Sequence, residues 1–448
     1  MKKYDVLVIG AGMAGAAVAK KCAIKGLKTA ITDFRPYGGT CALRGCDPKK
    51  VLIDAASLRE QVRLHLGKGL TGDVEVNWQE LMKFKETFTA PVPENMEKGF
   101  EKAGIDTYHA PAAFLDESTL QIGQETVSAE KIVIVTGARP RELEVPGAEH
   151  TITSDDFLNL EALPEHITFL GGGYISFEFA HLAARAGSRV TIIEHGPRPL
   201  KHFEQDMVDE LVRVSKEAGI DIRLNCEVQR ITQKANEYEV SLEGEAGRGT
   251  LETGLVVSAI GRVPEVGQLD LNKGNVRHGR KGIDVNEYLQ STSNPRVYAA
   301  GDVADTEGLP LTPVAVYEGH FLSANVIKGN SKKVNYPEIP TVVFTIPSLA
   351  SVGLTERQAK EQGLDYKVNT HDARQWFNGR RHRAPAYAYK VLVSKTDGSI
   401  LGAHLVGPQA EETINVFAVA MKAGMKARDL KSFLFSYPTM ASDVSYMA

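Results

Sequence analysis

Short apolar runs followed by glycine-rich turns and helical patterns alternate along the chain, and one such arrangement occurs twice. In the first copy, the apolar run 6–9 leads into glycines and a helical pattern that stops at Gly26. In the second, the run 167–170 leads into the same pattern, which stops at Gly187. Short apolar runs of this kind are typical of buried parallel strands. The duplication therefore predicts two βαβ units in an α/β fold.

Each predicted unit carries the glycines and the acid that a dinucleotide site needs. The glycines are Gly10, Gly12 and Gly15 in the first unit and Gly171, Gly172 and Gly173 in the second. Such glycines allow a tight turn, close backbone approach to a pyrophosphate and close helix–strand packing, and the helix N-terminus attracts the phosphates. Asp33 and Glu194 follow at the same spacing and are expected to accept hydrogen bonds from ribose hydroxyls.

The remaining patterns predict further elements. Residues 51–105 are expected to be mostly helical, and 107–135 to form short strands separated by turns. Further strands are expected within 221–240 and at 255–260. From about Tyr336, longer alternating strands followed by helices are typical of an α+β domain.

Composition limits the possible functions. The chain has 448 residues, 43% of them hydrophobic and 24% charged, as expected for a globular protein of about three domains. A net charge of −4 provides no basic field for nucleic acid, and no apolar run approaches the roughly 20 residues of a membrane span. Asp5 interrupts the N-terminal stretch that could imitate a signal peptide, and four cysteines are too few for a disulfide framework. We expect a cytoplasmic protein without nucleic-acid or membrane partners.

Two cysteines, Cys41 and Cys46, lie close together in a glycine-rich segment. Five residues of regular helix advance about 7.5 Å, more than the roughly 6.8 Å between Cα atoms that a disulfide allows, so a bridge needs a distorted helix start. Gly45 favours that distortion, and Lys50 and the helix dipole would stabilise a thiolate. A redox pair is therefore favoured over inert cysteines and over a metal site, because no His or other Cys lies nearby to complete the ligands.

The segment from Gly38 to Lys50, Gly-Gly-Thr-Cys followed by Gly-Cys-Asp-Pro-Lys-Lys, resembles the redox motif of the FAD-dependent pyridine nucleotide–disulfide oxidoreductases. Glutathione reductase, dihydrolipoamide dehydrogenase and mercuric reductase belong to that family. The resemblance covers nearly the whole chain, including the segments 136–140, 261–264, 300–302, 344–347 and 352–355. It implies two Rossmann-like dinucleotide-binding domains plus a C-terminal α+β dimerisation domain.

The resemblance also implies domain boundaries, cofactors and partners. The FAD-binding domain is expected over 1–147 and 268–335, the NAD(P)-binding domain over 148–267, and the dimerisation domain over 336–448. FAD and either NADH or NADPH would be the cofactors, and the protein would be a homodimer.

Individual roles follow from the resemblance as well. Cys46 is expected to face the flavin and Cys41 to attack the substrate disulfide, while Lys50 and Glu178 resemble an ion pair beside the flavin. Tyr174 is expected to cover the nicotinamide pocket. The FAD-binding positions would be Gly10, Gly12, Gly15, Asp33, Gly39, Thr40, Lys50, Ala112, Thr136, Gly137, Gly301, Asp302 and Thr312. The NAD(P)H-binding positions would be Gly171, Gly173, Tyr174, Ile175, Glu194, His195 and Gly261.

The chain departs from the family's pattern near its C-terminal end. Tyr437 stands where the partner subunit of family members supplies an acid/base histidine, and Ser442 and Asp443 lie about where a glutamate orients it. A free tyrosine, with a pKa of about 10, is a poor base near neutrality but can donate a proton to a leaving thiolate. Leu43 also replaces an asparagine that many relatives have between the cysteines.

The coenzyme preference has opposing signals. Glu194 favours the unphosphorylated ribose of NADH. His195, Arg198 and Lys201 lie where NADPH-selective relatives have basic residues. We favour NADH, with NADPH as the alternative.

The expected function is electron transfer from NAD(P)H through FAD to the Cys41–Cys46 disulfide and on to a small disulfide of the glutathione or lipoamide type. A redox-sensing regulator, an NADH diaphorase and a metal-ion reductase are the alternatives. The C-terminal cysteine pair of mercuric reductases is missing, because the last cysteine is Cys226. The basic segment 371–383 is expected to be a solvated loop rather than a surface for an acidic substrate.

Overall fold

A computed structural model describes residues 1–245 and 247–448. The strands are β1 (Lys2–Ile9), β2 (Thr29–Thr32), β3 (Asp106–Tyr108), β4 (Ala112–Phe114), β5 (Thr119–Ile122), β6 (Glu125–Ile134), β7 (Ala138–Pro140), β8 (His166–Leu170), β9 (Arg189–Ile193), β10 (Ile220–Arg223), β11 (Cys226–Gln233), β12 (Tyr238–Gly244), β13 (Gly247–Thr253), β14 (Leu255–Ser258), β15 (Arg262–Pro264), β16 (His278–Gly279), β17 (Gly282–Asp284), β18 (Val297–Ala299), β19 (Ala304–Asp305), β20 (Thr341–Val343), β21 (Ser348–Gly353), β22 (Tyr366–Asp372), β23 (Ala388–Ser394) and β24 (Ile400–Gly407).

The α-helices are α1 (Met13–Ile24), α2 (Gly39–Arg44), α3 (Cys46–His65), α4 (Trp78–Thr89), α5 (Val92–Lys102), α6 (Ser154–Phe157), α7 (Tyr174–Arg185), α8 (Gln205–Glu217), α9 (Thr312–Lys328), α10 (Glu356–Glu361), α11 (Phe377–Arg381), α12 (Ala410–Lys422), α13 (Ala427–Ser432) and α14 (Val444–Met447). Short 3₁₀ helices lie at Ala148–His150, Gly301–Val303, Ala373–Gln375 and Met440–Asp443.

The chain forms two compact units. The first contains residues 1–49, 83–141 and 261–336, and the second contains residues 50–82, 142–260 and 337–448. The second unit includes both the second predicted βαβ pattern and the C-terminal α+β pattern. The three-domain boundaries given above therefore stay a prediction.

The first unit is built on a sheet in which β3, β2, β1 and β6 lie in that order and are parallel. β6 also pairs with the parallel strand β18 near its carboxyl end and with the antiparallel strand β5 near its amino end, and β4 pairs with β5. The apolar run of β1 is buried on both faces: Val6 and Val8 pack towards α1, and Leu7 and Ile9 belong to the opposite core. Gly319 of α9 lies against the backbone of α1. Because β1, β6 and β18 are parallel, the segments after their carboxyl ends lie at one edge of the sheet.

The second unit combines two kinds of sheet. A parallel sheet of order β10-β9-β8-β14 carries α7, and β11, β12 and β13 form a separate antiparallel sheet. The C-terminal part is an antiparallel sheet of order β20-β21-β24-β23-β22, against which α12 packs. The predicted fold class, α/β with an α+β C-terminal domain, is confirmed.

Some expectations about elements are wrong. Strands β13 and β22 were not predicted, because their largely exposed side chains on sheet edges give a weak apolar signal. Strand β21, which is buried and lies between β20 and β24, was not predicted either. The segment 371–383 is not a solvated loop: it contains α11, the buried Asn378, and Trp376 packed against the apolar core. Within the described residues, no helix is both long enough and apolar enough to span a bilayer.

Candidate redox and dinucleotide site

The first glycine turn has the close contacts that a phosphate-binding turn requires. Gly10 follows β1 with a positive φ of 109°, and a Cβ on Gly15 would overlap the carbonyl oxygen of Gly10. Gly12 caps α1 without a side-chain hydrogen bond, so the first N–H groups of this helix are available to an anion. Gly39, at the start of α2, packs so tightly on this turn that a Cβ there would lie 2.6 Å from the Cα atom of Gly12.

Asp33, at the end of β2, supports the same turn. Its Oδ2 accepts the Ala11 N–H at 2.8 Å, and its Oδ1 accepts the Arg35 N–H at 2.9 Å. Each carboxylate oxygen has a second lone-pair direction, so Asp33 can hold the loop and still accept a ribose hydroxyl.

Two further segments meet this turn at the carboxyl edge of the sheet. Thr136 and Gly137 follow β6, and Thr136 Oγ1 donates to the carbonyl oxygen of Glu265 at 2.6 Å. Gly301 and Asp302 follow β18, and burial raises the pKa of the Asp302 carboxyl. A half-buried carboxyl beside glycine turns and an open helix N-terminus suits a ligand with phosphates and hydroxyls. These residues therefore fit the FAD predicted for them.

Ala112 and Thr40 are two further positions that are predicted to bind FAD. Ala112 is buried in β4 and pairs with Ile122, and Thr40 is half-buried within α2. Their part in binding FAD stays a prediction.

The two cysteines flank a break between two helices. α2 ends at Arg44 and α3 begins at Cys46, so Gly45 interrupts the helix between the two cysteines. This interruption is the distortion that a disulfide bridge between them needs. A Cβ on Gly45 would lie 2.9 Å from the carbonyl oxygen of Thr40. Cys41 and Cys46 are both free thiols in this structure.

The electrostatic surroundings distinguish the two thiols. A hydrogen bond from Cys41 lowers the pKa of Cys46 to about 6, assisted by Thr312 and the charge of Lys49 and opposed by partial desolvation. Cys46 Sγ lies 3.4 Å from Thr312 Oγ1, at the start of α9. The same thiol–thiol hydrogen bond, together with desolvation, raises the pKa of Cys41, whose Sγ lies 3.9 Å from Asp47 Oδ1. In the reduced pair, Cys46 is therefore the thiolate and Cys41 the thiol.

A second lysine acts on the Cys46 thiol. The charge of Lys49 lowers the pKa of Cys46, and the expected contribution of Lys50 stays a prediction. Lys50 Nζ lies 2.6 Å from Asp54 Oδ1, one helical turn away, and 5.3 Å from the centre of the Phe344 ring. A carboxylate four residues after a lysine on a helix was the sequence signal for this pairing.

In the second unit, α7 carries the residues expected near the nicotinamide. Glu178 is buried, and its Oε1 accepts the Phe344 N–H at 2.9 Å. Tyr174, at the first position of α7, is 45% exposed. The Lys50–Glu178 ion pair and the role of Tyr174 stay predictions.

The second glycine turn resembles the first in its local geometry. Gly171 has a positive φ of 99°, and a Cβ there would lie 2.7 Å from the carbonyl oxygen of Ala259. A Cβ on Gly173, which caps α7, would meet open space, and Ile175 is half-buried. Gly261 lies in the first unit, next to β15.

Glu194 is more enclosed than a free ribose acceptor would be. Its side chain is 6% exposed, its Oε2 accepts the Gly172 N–H at 2.6 Å, and its Oε1 accepts the Gly196 N–H at 2.8 Å. His195 Nδ1 and Lys201 Nζ lie 3.2 and 3.4 Å from Oε1, and both side chains are largely exposed. The exposed side chains near the position predicted to bind the ribose are therefore those of basic residues.

The C-terminal tail presents Tyr437 and buries its neighbours. Tyr437 is 74% exposed, and its ring lies 6.2 Å from that of Phe377. Asp443 is buried and accepts hydrogen bonds from the Tyr387 hydroxyl at 2.6 Å and from Asn378 Nδ2 at 3.1 Å. Asp443 thus anchors the tail, which differs from the orienting role considered for it above.

Glu318 is a functional candidate that the sequence interpretation missed. Its carboxylate is fully buried in α9 and hydrogen-bonds to the turn that presents Asp302. An acid inside an otherwise apolar helical stretch was the available signal. Among the described residues, 1–245 and 247–448, no group of three or more His, Cys, Asp or Glu side chains is arranged to hold a metal ion.

Comparison with known proteins identifies the family to which the chain belongs. A family model described as pyridine nucleotide-disulphide oxidoreductase matches residues 4–319, and the model of that family's dimerisation domain matches residues 339–448. The chain belongs to this family. Family members depend on FAD and take electrons from NADH or NADPH, so the chain is an oxidoreductase of the flavoprotein disulfide reductase type, with the family's dimerisation domain.

Relatives within this oxidoreductase family have different substrates. Glutathione reductase of Nostoc is 34% identical, over 98% of each chain. Mercuric reductase of Staphylococcus aureus is 30% identical, over 99% of this chain and 82% of that protein. Among solved structures, the HOCl-induced flavoprotein disulfide reductase RclA of Escherichia coli matches over 99% of both chains with a TM-score of 0.88 and 28% identity.

Proposed function

We propose that Cys41 and Cys46 form the redox centre of this disulfide reductase, which uses NADH or NADPH to reduce a small disulfide of the glutathione or lipoamide type. The observation that carries the proposal is the asymmetry of the two thiols. Cys46, with a pKa of about 6, lies beside Thr312 at the start of α9. Cys41, hydrogen-bonded to it, keeps its proton. One sulfur is thus prepared to exchange electrons with a cofactor and the other to attack a substrate.

FAD, when bound, supplies two-electron chemistry between a nicotinamide and a disulfide. In the reduced pair, Cys41 attacks one sulfur of the substrate disulfide and gives up its proton. The substrate S–S bond breaks, a mixed disulfide with Cys41 forms, and the first product leaves as a thiol that carries the proton given up by Cys41. The Cys46 thiolate then attacks the Cys41 sulfur and releases the second product as a thiolate, which takes a proton from solvent. The Cys41–Cys46 bridge has re-formed, and the substrate has gained two electrons and two protons.

Tyr437 is proposed as the proton donor to the leaving thiolate. It lies in an exposed apolar tail segment with Phe433 and Leu434, which are 54% and 94% exposed. Exposed aromatic and aliphatic side chains on a dimerisation domain are what a subunit interface covers. We therefore propose a homodimer in which Tyr437 reaches the thiols of the partner subunit. We also propose a cytoplasmic location, because only four cysteines occur in 448 residues.

Steady-state turnover with NADH and with NADPH, on a panel of small disulfides, tests the proposal. Cys41→Ser is expected to abolish disulfide reduction while leaving reduction of an artificial dye intact, because dye reduction bypasses the cysteines. Tyr437→Phe is expected to slow disulfide turnover by about 10²-fold, the range of general-acid catalysis, and to spare dye reduction. Dye reduction without turnover of any disulfide would favour the diaphorase, and unchanged turnover in Tyr437→Phe would exclude its role.

Metal-ion reduction is the second candidate. The two adjacent thiols are free and of unequal pKa, which suits a soft metal ion that takes two sulfur ligands. A 19.7 kDa protein from a mercuric resistance operon of Staphylococcus aureus is 49% identical over 179 residues, and RclA has been solved as a Cu(II) complex. Consumption of NAD(P)H that depends on Hg(II) or Cu(II), but not on a disulfide, would favour this candidate.

A further inference from the structure

α9 contains a carboxylate that the redox chemistry described above does not use. Glu318 lies in the middle of this helix, between Val314 and Leu322, which are buried apolar residues. Its side chain has 0% exposure. A carboxylate in an apolar environment is costly unless hydrogen bonds compensate for the lost water. Its position therefore requires specific partners.

Three hydrogen bonds from separate segments provide that compensation. The backbone N–H of Gly301 donates to Oε2 at 2.6 Å, and the hydroxyls of Thr306 and Tyr336 donate to Oε1 at 2.8 and 2.5 Å. The backbone also closes on the carboxylate, because a Cβ on Gly308 would lie 2.7 Å from Oε1. Glu318 thus joins the segments 301–308 and Tyr336 to one point on α9.

Of these three hydrogen bonds, the one from the Gly301 N–H connects Glu318 to the turn that carries Asp302. Gly301 begins the 3₁₀ helix that presents Asp302 after β18, and its φ is +71°. Burial, and to a smaller extent the charge of Glu318, raises the pKa of Asp302, while Arg262 lowers it. The two carboxyls are therefore close enough to interact electrostatically. A cofactor held by Asp302 would therefore be exposed to the charge of Glu318.

We propose that Glu318 is a positioning residue of the FAD site. By accepting the Gly301 N–H, it fixes the turn that presents Asp302 to the cofactor, and its negative charge lowers the reduction potential of the bound flavin. The inference rests on the use of FAD by this family and not on any particular substrate.

Two substitutions separate the hydrogen bond from the charge. In Glu318→Gln, the amide oxygen can accept the Gly301 N–H, while the amide N–H groups donate to the Thr306 and Tyr336 hydroxyls, so the geometry is kept and only the charge is lost. In Glu318→Leu, the part-buried Gly301 N–H loses its acceptor. Ser323→Ala is the matched control, because it removes a buried polar group from the same helix, where Ser323 Oγ donates to the Gly319 carbonyl oxygen.

The readouts are the FAD dissociation constant, measured by the rise of flavin fluorescence on release, and the flavin reduction potential, measured against a reference dye. Glu318→Leu is expected to weaken FAD binding about tenfold or more. Glu318→Gln is expected to bind FAD within about threefold of the unchanged protein and to shift the flavin potential to a more positive value. Ser323→Ala is expected to change neither quantity.

Wild-type FAD affinity in Glu318→Leu would overturn the proposal. If Glu318→Leu does not fold, Glu318→Gln decides, and a flavin potential equal to that of the unchanged protein would overturn it. Neither readout involves a disulfide substrate, so failure of the proposed disulfide turnover leaves this test unaffected.

Discussion

The thiol–thiol hydrogen bond makes a quantitative prediction about Cys46. Its pKa of about 6 compares with 9.0 for an ordinary thiol, and the hydrogen bond from Cys41 is the largest cause of the difference. Cys41→Ala removes that donor and leaves Cys46 in place. The pKa of Cys46 is then expected to rise, because its thiolate loses a hydrogen bond while desolvation still opposes the charge.

The size of the effect follows from the energy of a hydrogen bond to a charged group, about 1.5–3 kcal/mol. At 1.36 kcal/mol for each pKa unit, the pKa of Cys46 is expected to rise from about 6 to about 7–8. The thiolate fraction at pH 6, and with it the alkylation rate of Cys46, is then expected to fall about 5- to 50-fold.

Iodoacetamide labelling of the reduced protein between pH 5 and pH 9, with the Cys46 peptide quantified by mass spectrometry, measures this pKa. Cys41→Ser is the control, since its hydroxyl keeps a donor beside Cys46 and is expected to leave the pKa between those of the unchanged protein and Cys41→Ala. Superimposable pH profiles for Cys41→Ala and the unchanged protein would refute the account of the asymmetric pair.

Two further comparisons test the electrostatics and the packing. Lys49→Gln is expected to raise the pKa of Cys46 in the same labelling assay, whereas Lys50→Gln is expected to leave it nearly unchanged because Asp54 holds Lys50. Equal effects of the two substitutions would contradict this assignment. Gly15→Ala is expected to lower the free energy of unfolding by about 1–3 kcal/mol, since its Cβ overlaps the Gly10 carbonyl oxygen. Gly12→Ala, whose Cβ makes an ordinary contact of 3.8 Å, is expected to keep wild-type thermal stability but to bind FAD more weakly, and the reverse result would contradict it.

The C-terminal part of the chain shows where sequence patterns fail. The basic segment 371–383 has the composition of a surface loop, yet Asn378 and Trp376 within it are held by the tail and by the core. Asp443 has the chemical type expected of an orienting acid, but its oxygens are engaged with Tyr387 and Asn378. Partners that are distant along the chain decide these roles, and spacing in the sequence does not indicate them.

The local elements were predictable because local physics determines them. The apolar run before Gly10 and the glycine spacing after it require a buried strand, a tight turn and a closely packed helix whatever the rest of the chain does. The helix break between Cys41 and Cys46 follows in the same way from Gly45 and the length of a helical turn. Family motifs within these elements were enough to indicate the cofactors and the type of reaction.

The tertiary structure decided which charged side chain acts on which group. Lys49 and Lys50 are adjacent and chemically identical in sequence, but only the fold shows that Asp54 engages Lys50 and that the charge of Lys49 helps to lower the pKa of Cys46. Glu318 is an isolated acid in an apolar helix until the packing of α9 brings Gly301 to its carboxylate. Electrostatic effects depend on distance and burial in three dimensions, and neither quantity is written in the order of residues.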